Sequence, residues 1–141
     1  MIWVGRVESP ANAMNISFTA TFFNTSSEDD VLTVGFADDE HDPRHFLLLQ
    51  AADEYDEQDE ALGLDTYDVQ IGEPELAGYG GVDSVLIAPD KLLFCFSENT
   101  SWCKGMRRLD LVISPDVAKL DDIENALRAV FAGSPTVISR G

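Results

Sequence analysis

Ser114-Pro115-Asp116-Val117-Ala118-Lys119-Leu120-Asp121-Asp122-Ile123-Glu124-Asn125-Ala126-Leu127-Arg128-Ala129-Val130-Phe131-Ala132-Gly133 is the stretch of this chain that reads as a helix. Leu120, Ile123, Leu127, Val130 and Phe131 recur at steps of three and four, which lays one apolar stripe along a helical surface. Ser114 suits the capping position, Pro115 the first helical position, and Asp116 complements the helix dipole. Gly133 followed by Ser134-Pro135 supplies the stop. The spacing predicts a helix over residues 116–132.

Upstream, the period changes from 3.6 to two. Residues 15–22 alternate, with Ile16, Phe18, Ala20 and Phe22 on one face and Ser17, Thr19 and Thr21 on the other, a half-buried strand. Residues 24–30 read as a polar turn. Residues 31–37 follow as a strand with Leu32, Val34 and Phe36 inward, and 38–44 as a charged loop containing Pro43. Residues 45–51 carry Phe46-Leu47-Leu48-Leu49, apolar on both faces and therefore central in a sheet. Residues 64–71 alternate again with Tyr67, Val69 and Ile71 inward, and 72–81 read as a turn region. Residues 82–88 and 91–96 form two strands around a Pro89-Asp90 hairpin. Residues 97–107 are irregular, and Leu109, Leu111 and Ile113 mark a last strand. Strands followed by one helix predict an α+β fold: an antiparallel sheet of about six strands with one long C-terminal amphipathic helix packed on one face. The chain reads as a single domain over residues 1–141, with a core over about 14–133. Ile2 to Val7 suits an extra edge strand, and 134–141 reads as a loose tail.

The chain has 141 residues and a net charge of −17, and that charge is unevenly placed. Residues 1–90 hold 20 acids and two bases, Arg6 and Arg44, for −18; residues 91–141 hold 6 acids and 7 bases, for +1. Such a field repels nucleic acid phosphates and draws in a basic protein partner. The only apolar stretch at the N-terminus, residues 2–4, is too short for a signal peptide, and no run approaches the length that spans a bilayer. A cytosolic location without membrane contact is expected. Cys95 and Cys103 then read as reduced thiols, with Cys95 as core filler and Cys103 near a loop.

The densest acidic segment is Asp53-Glu54-Tyr55-Asp56-Glu57-Gln58-Asp59-Glu60, six carboxylates in eight positions. Adjacent like charges weaken a compact state, so folding alone does not call for them. An isolated acidic run is as readily a solubilising loop as a contact surface. As a contact surface, Asp53, Glu54, Asp56, Glu57, Asp59 and Glu60 would supply charge, and Tyr55 and Tyr79 aromatic anchors. A calcium loop needs glycine at its sixth position, where a start at Asp53 or Asp56 places Gln58 or Ala61. His41 and His45 have the spacing of a helical zinc pair, but Pro43 between them argues against a helix, and no third ligand cluster accompanies them. Gly78-Tyr79-Gly80-Gly81 leads into a strand and not a helix, so it reads as a turn needing positive φ or close backbone approach, and not as a phosphate loop. No nucleophile–base pair is apparent. The expectation is no catalytic, cofactor or metal site.

Several segments together resemble the immunity protein 10 family of bacterial polymorphic toxin systems. They are Phe18-Thr19-Ala20, Phe46-Leu47-Leu48-Leu49-Gln50, Asp56-Glu57-Gln58-Asp59 with Leu62-Gly63-Leu64-Asp65-Thr66-Tyr67, and Tyr79-Gly80-Gly81-Val82. The likeness spans about residues 14–133, and the acidic stretch running into Asp65-Thr66-Tyr67 with Tyr79-Gly80-Gly81 is its most specific part. The resemblance implies a small cytosolic antitoxin that binds and blocks a cognate toxin domain, often a nuclease or another toxic enzyme. A toxin handling nucleic acid is usually basic, which suits an acidic binder. On the residues alone, a small acidic enzyme or metal binder and a scaffold or oligomerisation domain without a toxin stay open.

Overall fold

The computed structural model describes residues 14–52, 66–72, 75–114 and 116–141. Ten strands and one helix occur among them: β1 (Met14–Ala20), β2 (Phe22–Glu28), β3 (Val31–Ala37), β4 (Phe46–Ala52), β5 (Asp68–Gly72), β6 (Leu76–Tyr79), β7 (Val82–Ile87), β8 (Lys91–Phe96), β9 (Met106–Ile113), α1 (Leu120–Val130) and β10 (Val137–Arg140). They form two five-stranded sheets in place of the single sheet of about six expected. Sheet I has the order β1-β9-β8-β7-β10, and sheet II is the meander β2-β3-β4-β5-β6. Sheet II is antiparallel throughout. In sheet I, β1 runs parallel to β9 and β10 parallel to β7. The expected edge strand at Ile2 to Val7 lies outside the described residues.

The inward faces of both sheets feed one core. Ile16, Phe18, Phe94 and Leu111 of sheet I and Val34, Phe36, Leu47 and Ile71 of sheet II belong to the same buried cluster. The helix adds Ile123, Leu127, Val130 and Phe131 and packs against β3 and β4. Its stripe is the predicted one except at Leu120, which is only partly buried, and the helix is shorter than residues 116–132. Lys119, extended at φ −79° and ψ 143°, precedes its first residue. The Val117 N–H donates to the Ser114 carbonyl, closing a turn, while Val117 and Ala118 pack on the core. That packing holds the segment out of helical geometry. Asp121 and Asp122 complement the dipole in place of Asp116. Gly133 at φ 81° ends the element as expected.

Five further expectations are corrected. The alternation of residues 15–22 does not continue through Phe22, because the chain changes sheets at Thr21, whose N–H donates to the Ala37 carbonyl. Phe22 pairs with Ala37 on the outward face of sheet II, and it is Phe23 that meets Phe36 in the interior. The polar residues 24–28 belong to edge strand β2, and the turn proper is Asp29-Asp30, both at positive φ. A polar edge is what keeps an unpaired strand from recruiting others. The turn region 72–81 contains β6, paired with β5 from Asp68↔Tyr79 to Ile71↔Leu76. The tail is not loose: β10 docks beside β7, and Arg140 bonds Asp121 and Glu124 at 2.8 Å each. Those two bonds reach across to α1, and hydrogen bonding from Arg140 and then Arg128 holds the Glu124 carboxyl below its ordinary range. The cysteines exchange roles. Cys95 is half-buried on the outer side of β8, whereas Cys103 is buried in a 3-10 turn, Ser101–Cys103, and both are free.

Candidate partner-binding surface

Sheet II and its connections carry almost all the protein's charge. Residues 22–79 hold 17 acids and one base, −16; the remaining positions hold 9 acids and 8 bases, −1. Among the described residues these acids gather at the two ends of the sheet. At one end Glu28, Asp29 and Asp30 are exposed around the β2–β3 turn. At the other, Asp39, Glu40 and Asp42 are exposed in the loop between β3 and β4.

The run containing Asp53, Glu54, Tyr55, Asp56, Glu57, Asp59 and Glu60 lies outside the described residues. Its flanks are placed. Ala52 ends β4 opposite Val31, next to the Asp29-Asp30 turn, and Thr66 precedes Tyr67 and β5. Tyr79 stands at this same end of the sheet, opposite Asp68, with 45% of its surface exposed. Of the expected contact residues, the structure thus brings Tyr79 to the end at which the acidic segment leaves and rejoins sheet II. Ser26, Thr33, Gln50, Asp68 and Tyr79 form one cross-strand row on the outward face, and Gln50 donates to the Thr33 hydroxyl at 3.2 Å.

The sequence around Tyr79 dictates that position. Gly80 and Gly81 take φ of 66° and 95°, conformations that L side chains avoid, and turn the chain from sheet II into sheet I. Gly78 lies flat beneath Trp102, where a Cβ would collide with the indole. The indole N–H donates to the Gly80 carbonyl at 3.1 Å and its ring meets Phe96 edge-on. Both uses anticipated for these glycines occur. Tyr67 pins the same corner from the other side. Its hydroxyl accepts from the Val82 N–H at 2.8 Å and contacts Thr136, while its ring meets Phe131 edge-on at 4.7 Å. One side chain directly after the acidic segment therefore ties sheet II, sheet I and the helix end together.

Asp68 sits beside Tyr79 with its carboxyl pushed above the ordinary range by burial, against the opposing pull of a hydrogen bond from Gln70. The folded chain thus holds this proton more tightly than the unfolded chain. The group's contribution to stability is greatest below its unfolded value of about 3.9 and is lost as pH rises through the raised folded value. At neutral pH the charged carboxylate works against folding. Asp68→Asn is expected to raise the melting temperature near neutral pH, with the gain disappearing below about pH 3. A gain of the same size at both pH values would show that ionisation is not its cause.

The histidines occupy a loop, as Pro43 requires, and they do different things. His41 is exposed. His45 stacks on Phe18 and places Nδ1 3.1 Å from Asp38 Oδ2. Burial opposes ionisation of Asp38, but hydrogen bonds from the His45 ring, the His45 N–H and the Arg44 N–H outweigh it and hold the carboxyl below its usual range. Among the described residues, no three His, Cys, Asp or Glu side chains converge as a metal cluster would require. Cys103 Sγ faces the carbonyls of Gly81, Ser97 and Thr100 at 3.6–3.8 Å, and burial pushes its thiol up, which makes it a packing residue and not a nucleophile.

Two sheets thus share one core, the segment 22–79 carries most of the net charge, and His45 and the buried Cys103 thiol are engaged in local contacts. The chain belongs to the immunity protein 10 family, whose model matches residues 17–121. The matched segment runs from within β1 to the start of α1, so most of the helix and all of β10 lie beyond it. A comparison with curated proteins gave no match.

Proposed function

We propose that this protein is an antitoxin that binds a cognate toxin domain through the acidic side of sheet II and blocks it without catalysis of its own. Membership of the immunity protein 10 family carries this reading, and the concentration of −16 on residues 22–79 supports it. The partner of best fit is basic. A nuclease cleft, built to hold phosphates, has that character and would accept a carboxylate surface in place of its substrate. Asp53, Glu54, Asp56, Glu57, Asp59 and Glu60 provide the charge, with Tyr55 and Tyr79 as anchors. The setting is the cytosol of the producing cell; among the described residues no helix is long and apolar enough to cross a membrane.

The test is survival. The gene immediately upstream is expected to encode the toxin domain: cells expressing it should stop growing, and co-production of this protein should restore growth. Unchanged growth arrest, with the protein present and folded, would reject the antitoxin reading.

A further inference from the structure

Phe22, Phe46 and Leu48 place three large apolar side chains on the outward face of sheet II, where strand alternation ordinarily sets polar ones. They wall a depression of about 380 Å³. Its floor includes Gly35, which has no side chain. Gly35 leaves room for Leu48, whose Cδ1 would stand 3.4 Å from a Cβ there. Gly72 faces Phe46 in register, and the Phe46 ring lies so close across it that any Cβ would collide. Asp39 and Glu40 rim one side; Asn24 and Gln70 rim the others. No lysine or arginine is among the described lining residues.

The rim is built in advance. Asp38 accepts hydrogen bonds from the N–H groups of Arg44 and His45, and Asp39 accepts one from Asp42 N–H at 2.9 Å, fixing the loop that carries both rim acids. A site ordered before binding loses less entropy on association. On sheet I the outward side of β1 offers exposed Asn15, Ser17 and Thr19, beside the Arg108–Asp110 ion pair and Val112.

We propose that this depression receives an apolar side chain of the toxin, flanked on the toxin by lysine or arginine that meets Asp39 and Glu40. This deepens the antitoxin reading and rests on it. Charge selects the occupant. A second copy of the chain would set the Asp39–Glu40 rim against another like it, with no lysine or arginine among the described lining residues to answer it, whereas a basic partner gains at both rim acids. Size points the same way. Five strands of four to seven residues cover roughly 20 Å by 20 Å, about half of the ~800 Å² per partner that a stable complex buries. The footprint must therefore extend over the acidic ends, with the apolar depression as its desolvated centre.

Three variants add the same charge change at different places: Leu48→Lys in the depression, Gln70→Lys on its exposed rim, and Thr19→Lys on sheet I. The probe is the upstream-encoded toxin domain, inactivated and titrated against each purified protein. Leu48→Lys is expected to weaken binding roughly 30-fold or more, Gln70→Lys to weaken it less, and Thr19→Lys to leave it unchanged. Gln70 is exposed, so its variant keeps the test informative where Leu48→Lys does not fold. Wild-type binding matched by the Gln70→Lys and Leu48→Lys proteins would overturn the depression as the docking seat and leave the antitoxin reading standing. A wild-type protein that does not bind this toxin would overturn both. A wild-type dimer dissolved by Gln70→Lys, with toxin binding intact, would assign the face to a second copy.

Discussion

Leu127→Ala is expected to cost ~2–5 kcal/mol of unfolding free energy, in the upper part of that range. Leu127 is fully buried on the face of α1 that also carries Ile123, Val130 and Phe131. The loss has two parts: the transfer of the removed methyl and methylene groups, and the cavity that remains if neighbours cannot move in. Here they are held. Phe131 is fixed against Tyr67, and Tyr67 in turn by Val82 and Thr136. The same helix is tied to β10 through Arg140 to Asp121 and Glu124. A helix anchored near both ends does not slide to fill a gap. Against a total stability of about 5–15 kcal/mol, the variant should unfold at markedly lower urea concentration with an unchanged slope. A loss below about 1 kcal/mol, the level of an average substitution, would contradict the packing described.

The helix was legible because its stripe needs no knowledge of the rest of the chain: Ile123, Leu127 and Phe131 recur at the helical period and are buried. The strands with clean alternation were legible for the same local reason. Val34 and Phe36, and Tyr67, Val69 and Ile71, all face inward as read. What escaped were features decided by partners far away in sequence. The switch at Thr21 leaves residues 15–22 looking like one strand, because Phe22 is as apolar on the outer face of sheet II as it would be in the core. β1 and β10 pair in parallel with β9 and β7, and no turn residue marks such pairings. β6 was hidden by Gly78, whose missing side chain signals a turn in sequence but serves here to admit Trp102.

The candidate surface was legible as charge and not as shape. Composition alone located the acids, and Tyr79 stands exposed at the end of sheet II where the acidic segment attaches. The depression is not readable from sequence, since Phe22 continues the alternation of residues 15–22 and reads as inward, and the apolar run Phe46-Leu47-Leu48-Leu49 fits a strand covered on both faces equally well. β4 is indeed the central strand of its sheet, yet one of its faces is open. A signal was present in Gly35 and Gly72: glycines inside strands mark places where something approaches the backbone closely.

Neutralising Asp56, Glu57, Asp59 and Glu60 to Asn, Gln, Asn and Gln takes the net charge from −17 to −13 without touching any described core residue. Relief of like-charge repulsion should leave the melting temperature unchanged or raise it. Steering by charge complementarity raises association rates by about 10–10³-fold, so removing these four charges is expected to slow association by roughly tenfold at low salt. Screening shortens from about 30 Å at 0.01 M to about 3 Å at 1 M, and the difference should close over that range. The decisive measurement is the association rate of the upstream-encoded toxin domain with wild-type and neutralised protein across this span of ionic strength. The account predicts tight wild-type binding, a rate that falls steeply with salt, and a shallower, slower profile for the variant that converges with wild type at high salt. Superimposable profiles, or a wild-type rate indifferent to salt, would contradict the claim that the acidic side of sheet II meets a basic toxin.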